Sequence, residues 1–227
     1  DVPMAAALAG AARAIAGDER LGAVILRGAG ERAFCAGGDF DAMTEGGMIE
    51  AAFARMEAAI EEAMEALERI EIPIVAAIDG ACFGAGVQVA LAADIRIASD
   101  DARLAIPAAT LGIVYPLSAI AEMIRASGPG AAAHFLLGAE PLDAASAMSR
   151  GLVEQVVPKA KLQEEAAALG QRIAAHPREA ACAYKAIIRG LARARPLSEL
   201  LEIQRNVHTG PELIERLGAV AAKRAKS

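Results

Sequence analysis

The centre of the chain contains Ile72-Pro73-Ile74-Val75-Ala76-Ala77-Ile78-Asp79-Gly80, followed two residues later by Phe83-Gly84-Ala85-Gly86. The apolar run 74–78 lies between a proline and an Asp-Gly turn, which predicts a strand that is buried on both faces. The small residues at 84–86 predict a tight turn that opens a short helix through Ala92. Together they predict one strand–turn–helix unit of an α/β protein.

A second glycine-rich turn, Cys35-Ala36-Gly37-Gly38-Asp39-Phe40, lies upstream of this unit, beyond the apolar run Val24-Ile25-Leu26. This run also predicts a buried strand. Small residues let a ligand come close to backbone N–H groups. Two such turns, each after a buried strand, could direct two N–H groups at one oxygen. That arrangement is an oxyanion hole, in which one donor contributes about 3 kcal/mol to transition-state stabilisation.

The remaining pattern completes an α/β layout. A long amphipathic helix is predicted over 50–70 and shorter helices over 117–127, 131–137 and 144–149, with strands over 95–97, 103–106 and 153–157. Only helices are predicted after Lys159. We therefore expect an α/β core over residues 1–157 and a helical C-terminal region over 158–227 that packs on the core or on another subunit.

Length and composition narrow the class of protein. With 227 residues, of which 55% are hydrophobic, the chain is long enough for a buried core and too apolar to be disordered. The net charge of −6 and the 3% of aromatic residues argue against a nucleic-acid partner. We expect no membrane span, no signal peptide and a cytoplasmic location, with Cys35, Cys82 and Cys182 reduced. Because the chain starts at Asp1 without a Met, we also expect that part of the natural N-terminus is missing.

Two further patterns were considered as a dinucleotide site and a metal site, and neither fits. Gly28-Ala29-Gly30-Glu31-Arg32-Ala33 fits a dinucleotide fingerprint, but residues 34–39 predict a loop where that fingerprint requires a helix. His134, His176 and His208 are isolated and match no metal-ligand spacing. We therefore expect neither a nicotinamide site nor a metal site.

The segments around both turns resemble the signatures of the crotonase (enoyl-CoA hydratase/isomerase) superfamily. The first signature is 32–40; the second is 72–80 with 83–86 and 93–98, and the match continues through 150–154 and the helix with Lys185. The resemblance covers nearly the whole chain, although the family's first strands are absent before Asp1. It implies a crotonase-like spiral of ββα units with a helical C-terminal trimerisation region, assembled as a homotrimer or a dimer of trimers.

The same resemblance implies an acyl-CoA ligand, with no cofactor besides the coenzyme A thioester of the substrate. The backbone N–H groups of Gly38 and Ala85 would hold the thioester oxygen and stabilise its enolate. The residues that would contact coenzyme A are Ala36, Gly38, Asp39, Phe40 and Asp41.

This sequence departs from the family at its two usual catalytic glutamates. The resemblance places Gln88 and Ala108 at those positions, where hydratases of the family use carboxylates to handle water and the α-proton. Neither an amide nor a methyl group exchanges protons near neutral pH, and a positioned acid–base group is typically worth about 10²–10⁴ in rate. We therefore expect neither hydration nor double-bond isomerisation in the family's usual manner.

Three functions remain open on this basis. The first is an acyl-CoA enzyme, a lyase or isomerase, that stabilises a thioester enolate. The second is a decarboxylase, because loss of CO₂ makes an enolate without a base, and Tyr115 in Gly112-Ile113-Val114-Tyr115 resembles the tyrosine of methylmalonyl-CoA decarboxylases. The third is an acyl-CoA-binding protein without catalysis. Other polar residues expected near the pocket are Thr110, Ser118 and Glu122.

Overall fold

A computed structural model describes residues 1–39, 42, 44 and 48–224, with side chains up to residue 221. The strands are β1 (Val24–Arg27), β2 (Ala33–Cys35), β3 (Ile74–Ile78), β4 (Ala81–Phe83), β5 (Ile95–Ser99), β6 (Arg103–Ala105), β7 (Leu142–Asp143) and β8 (Gln155–Val157). The helices are α1 (Val2–Ala16), α2 (Ile49–Glu68), α3 (Ala85–Leu91), α4 (Leu117–Gly138), α5 (Ala144–Ser149), α6 (Leu162–Ala174), α7 (Arg178–Ala192), α8 (Leu197–His208) and α9 (Pro211–Arg224), with 3₁₀ turns at Pro107–Leu111 and Lys159–Lys161.

The strands form two sheets. One sheet has the order β1-β3-β5-β8, with every pair parallel, and the other has the order β2-β4-β6-β7, with only the last pair antiparallel. The pairs β1–β2, β3–β4 and β5–β6 each add one strand to each sheet before the chain continues into a helix, and β7 and β8, which flank α5, add the last strand to each. This is the spiral of ββα units that the resemblance implied, and the fold is confirmed.

Strand β3 lies at the centre of the packing and is fully buried, as its sequence predicted. The side chains of Ile74, Ala76 and Ile78 join the main core between the sheets and helices. Those of Val75 and Ala77 point the opposite way, into a second cluster with Leu162 of α6. Because both faces of the strand are covered, an unbroken apolar run suits it better than an alternating one.

Some local predictions were wrong or incomplete. Strand β1 is not buried: it lies at the edge of its sheet, and Ile25 is 36% exposed. The segment 34–39 is not all loop, because β2 extends to Cys35. Residues 28–32 lead into this strand without a helix. The helices predicted at 117–127 and 131–137 form α4, which is kinked at Gly128.

Strand β4 and helix α1 were not predicted. Strand β4 contains no β-branched residue and adjoins the second glycine-rich turn, so no local pattern marks it as a strand. Helix α1 packs along α2 and begins at Val2, directly after Asp1, whose carboxylate accepts a hydrogen bond from the Met4 amide at 2.8 Å. In the described part of the chain, no helix has both the length and the apolar character needed to cross a membrane.

A buried ion pair connects the C-terminal helices to the central sheet. Lys185 of α7 places its Nζ 3.0 Å from the Asp94 carboxylate and donates a 2.8 Å hydrogen bond to the Ile72 carbonyl oxygen. Asp94 also accepts the Ile74 amide at 2.8 Å and pairs with Arg189 at 2.8 Å. Burial lowers the pKa of Lys185 to about 8, although Asp94 opposes the shift. These contacts fix α7 against the beginnings of β3 and β5.

We expect the substitution Lys185→Ala to lower the free energy of unfolding by about 2–4 kcal/mol, because it removes the donor to the Ile72 carbonyl oxygen and one of the two cations that pair with the Asp94 carboxylate. Urea denaturation measures this change. The matched control is Lys161→Ala, which removes an exposed ion pair with Glu164 and should leave the unfolding midpoint unchanged. Equal stability of the two variants would contradict the role given to Lys185.

Candidate active site

The pairing of β2 with β4 brings the two glycine-rich turns together. The strands are parallel neighbours, with Cys35 opposite Cys82, so that both end at the same edge of their sheet. The first turn leaves β2 after Cys35, and the second leaves β4 after Phe83. Two segments far apart in the sequence thus become adjacent in space.

Glycines make this close approach possible. At Gly86, a Cβ atom would lie 2.5 Å from the carbonyl oxygen of Cys35, a distance that real Cβ atoms do not adopt. At Gly37, where φ is +98°, a Cβ atom would lie 3.0 Å from the Phe83 carbonyl oxygen. Gly84 also has a positive φ, +53°. The turns are in direct contact because these residues lack side chains.

Two backbone amides in these turns are available to a ligand. Ala85 is the first residue of α3, and the preceding Gly84 is fixed by a 2.8 Å hydrogen bond from its amide to the Ala105 carbonyl oxygen. Within the described residues, neither the Gly38 amide nor the Ala85 amide has a protein acceptor. An oxygen atom bound between the turns could accept from both.

These turns border a cavity of about 250 Å³. The five predicted catalytic residues all line it, together with Ala36; their chemical roles remain predictions. The lining residues are Ala36, Gly37, Gly38, Phe53, Met56, Glu57, Ile60, Glu61, Phe83, Gly84, Ala85, Gln88, Pro107, Ala108, Leu111, Ile113, Val114, Tyr115, Pro116 and Ser118. Most are apolar, so a bound group would be largely removed from water.

Gln88 and Ala108 are both in contact with this cavity. Gln88 lies on α3, three residues after Ala85, and its amide makes no side-chain hydrogen bond to the described residues. Ala108 lies in the 3₁₀ turn that follows β6. Neither side chain carries a group that can take up a proton near neutral pH.

The Tyr115 phenol lies beside the second turn. A Cβ atom on Gly84 would lie 3.3 Å from the phenol oxygen. The hydroxyl is therefore close to the turn that contains Ala85. Burial raises the pKa of Tyr115, and the nearby thiols of Cys35 and Cys82 raise it further. The phenol therefore remains protonated at neutral pH and can act as a hydrogen-bond donor.

Other predicted polar residues lie outside this lining. Asp39 accepts the Ala42 amide at 3.1 Å, and Thr110 donates to the Pro107 carbonyl oxygen at 2.7 Å. Glu122 pairs with Arg125 and Arg193. Although burial opposes it, the hydrogen bonds from these two arginines lower the pKa of Glu122.

Two of the predicted coenzyme A contacts, Phe40 and Asp41, lie outside the described residues. Ser118, which was predicted to lie near the pocket with Thr110 and Glu122, is part of the cavity lining.

The sequence analysis missed two carboxylates in the cavity wall. Glu57 and Glu61 of α2 line the cavity beside Phe53, Met56 and Ile60. Their positions could have been found from the helical period, because each directly follows an apolar residue of the stripe that the helix buries.

The fold and this site define an α/β protein with two backbone donors at an apolar cavity. Residues 3–215 match the family described as enoyl-CoA hydratase/isomerase, and the chain belongs to that family.

Relatives with known names lie within the same family. Over 172 residues the chain is 36% identical to a carnitinyl-CoA dehydratase of Proteus mirabilis. The aligned region covers 76% of this chain and 65% of that protein. Over 178 residues it is 34% identical to a short-chain-enoyl-CoA hydratase of Clostridium acetobutylicum, covering 78% of this chain and 67% of that one. The match thus spans about two thirds of these relatives.

A solved structure of an enoyl-CoA hydratase from Bacillus anthracis has the same fold. It superimposes with a TM-score of 0.88 and 31% identity, over 98% of this chain and 87% of that one.

We expect Gly86→Ala to lower the free energy of unfolding by about 1–3 kcal/mol, because the new methyl group forces the two turns apart. The matched control is Gly10→Ala in the middle of α1, where a Cβ atom meets nothing within 4 Å. That change should stabilise the protein by about 0.5–1 kcal/mol. Thermal or urea unfolding of both variants measures the difference, and a neutral Gly86→Ala would contradict the tight contact.

Proposed function

We propose that the protein is an acyl-CoA enzyme that binds a coenzyme A thioester in this cavity and stabilises its enolate. The contact between the two glycine-rich turns carries the proposal, because it makes the amides of Gly38 and Ala85 neighbours at one cavity. The thioester oxygen would accept a hydrogen bond from each. As the enolate forms, negative charge grows on that oxygen, and preorganised donors stabilise the charge more strongly than they stabilise the neutral carbonyl.

The position of coenzyme A follows from the first turn. Ala36 is exposed and Gly38 is half-buried, and both line the cavity. A thioester held at Gly38 would leave its coenzyme A portion over the exposed side of this turn, against Ala36 and Asp39. Phe40 and Asp41 remain predicted contacts by the resemblance alone.

The charges in the cavity wall favour some acyl groups over others. Its described lining contains two carboxylates, Glu57 and Glu61, and no Lys, Arg or His. A malonyl or methylmalonyl group would bring another carboxylate close to the half-buried Glu57, and like charges in a poorly solvated site repel. We therefore favour enoyl or saturated acyl groups over carboxyacyl groups. The relatives named above, a dehydratase and a hydratase, support the same substrate class.

The position of Tyr115 in the cavity lining supports decarboxylation as the second candidate function. Its protonated phenol beside the second turn could deliver a proton to the enolate that remains after CO₂ leaves. Such a reaction would require a substrate carboxylate in the cavity, which the charges of Glu57 and Glu61 oppose.

Liquid chromatography with mass spectrometry of coenzyme A esters, after incubation with the purified protein, tests the function, because retention time separates double-bond isomers of equal mass. The panel holds crotonyl-CoA, a longer enoyl-CoA, malonyl-CoA and methylmalonyl-CoA, and calorimetry measures the binding of each. We expect conversion of an enoyl ester, weaker binding of the two carboxyacyl esters, and tighter binding of crotonyl-CoA than of free coenzyme A, which lacks the thioester carbonyl.

Each other outcome favours a different function. Loss of CO₂ that Tyr115→Phe abolishes would favour the decarboxylase. Binding without change in any ester would favour a binding protein. No binding of any ester would contradict the acyl-CoA site itself.

We propose further that the chain assembles as a trimer or a dimer of trimers through its C-terminal helices. Helices α7, α8 and α9 present exposed apolar side chains along their lengths, and such surfaces are costly to leave in water. These residues are Tyr184, Ile188, Leu191, Leu197, Leu201, Ile214 and Leu217.

Light scattering coupled to gel filtration measures the assembly. We expect a mass that is three or six times that of the chain. The variant Ile188→Glu places a charge in the exposed stripe of α7 and should shift the mass towards one chain. A wild-type protein that is monomeric at micromolar concentration would contradict the proposal.

A further inference from the structure

The cavity that the two glycine-rich turns border also has two carboxylates in its lining. Five residues of α2 line it: Phe53, Met56, Glu57, Ile60 and Glu61. Their spacing of three and four residues places them on one face of the helix. The remaining described lining residues are apolar or glycine, apart from Gln88, Tyr115 and Ser118.

Glu57 is the more enclosed of the two carboxylates. It is half-buried, between the buried Met56 and the half-buried Ile60, whereas Glu61 is exposed one helical turn further on. A carboxylate in an apolar wall reacts with less interference from water than one in solvent. Glu57 is therefore better placed than Glu61 to act on a ligand in the cavity.

Glu57, like Glu50 and Glu61, has no described ion-pair partner, whereas the other three glutamates of this helix are paired. Glu62 pairs with Arg13, Glu65 with Arg69, and Glu68 with Arg193. The described residues provide no ion pair or hydrogen bond for the Glu57 side chain. Its carboxylate is free to accept a proton from a ligand.

The other polar residues of the lining cannot serve as a base near neutral pH. Gln88 carries an amide, and Ser118 carries a hydroxyl with no described hydrogen-bond partner of its own to activate it. Burial raises the pKa of Tyr115, which keeps that phenol protonated. Among the described lining residues, only the two carboxylates of α2 can take up a proton.

We propose that Glu57 is the catalytic base of this enzyme and acts on the α-carbon of the bound thioester. The Cα–H bond breaks, the proton goes to a carboxylate oxygen of Glu57, and the electron pair moves towards the thioester oxygen held by the two amides. Return of the proton from Glu57 to the α-carbon restores the ester, and delivery to the γ-carbon of an enoyl ester moves its double bond. The inference rests on the proposed acyl-CoA site. In it, helix α2 provides the base that the residues at positions 88 and 108 cannot provide.

Exchange of α-protons for deuterium tests the proposal without a need for the natural substrate. Butyryl-CoA and octanoyl-CoA are incubated with the protein in D₂O, and mass spectrometry follows deuterium uptake. Calorimetry measures the binding of both esters. We expect the wild type to catalyse exchange and Glu57→Gln to lose about 10²–10⁴ of the exchange rate while it still binds the esters.

The matched control is Glu62→Gln, which removes the same charge from the same helix at a residue that does not line the cavity and should exchange at close to the wild-type rate. Retained exchange in Glu57→Gln, or an equal loss in Glu62→Gln, would overturn the assignment. Binding by the wild type without any exchange would also overturn it, yet would leave the acyl-CoA site in place. Failure of the wild type to bind either ester would overturn the proposed function, and with it the role of Glu57.

Discussion

The contact between two glycine-rich turns is the constraint on which the site depends. Strands β2 and β4 are short and parallel, and their pairing ends both strands at one edge. The turns then approach so closely that a Cβ atom on Gly86 would lie 2.5 Å from the Cys35 carbonyl oxygen. This contact also depends on β3. That strand is buried in the first sheet and directly precedes β4 in the chain, so it sets where β4 begins.

Because the contact positions backbone amides and no side chain, enolate stabilisation and proton transfer depend on different parts of the site. Stabilisation of an enolate needs only backbone amides, so it tolerates changes of side chain around the cavity. Proton transfer needs a side chain, and here the residues at the positions expected for the family's glutamates, Gln88 and Ala108, cannot supply it. Helix α2 brings Glu57 to the same cavity. A fold that keeps its two amides can therefore change the element from which its base comes.

The sequence predicted the parts of the fold that have strong local patterns. The apolar run of β3, the stripe of α2 and the small residues before α3 each specify one structure, and the resemblance placed Gly38, Ala85, Gln88, Ala108 and Tyr115 in one site, where the structure brings them together. Strands β2 and β4 could not be predicted, because they contain no β-branched residue and adjoin the glycine-rich turns, so that only pairing with a neighbour makes them strands. The partial exposure of β1 depends on its place at a sheet edge, which tertiary structure decides. Glu57 was missed because a glutamate on an amphipathic helix is usually solvated.

The central claim is that the amides of Gly38 and Ala85 polarise a thioester carbonyl, and the vibrational frequency of that carbonyl reports on it most directly. An isotope-labelled butyryl-CoA carbonyl, observed by infrared difference spectroscopy, distinguishes the bound ester from the free one. An oxyanion hole predicts a shift of the stretch to lower wavenumber on binding, because two hydrogen bonds draw electrons towards the oxygen. An unshifted stretch, or one shifted to higher wavenumber as in a purely apolar cavity, would contradict the claim.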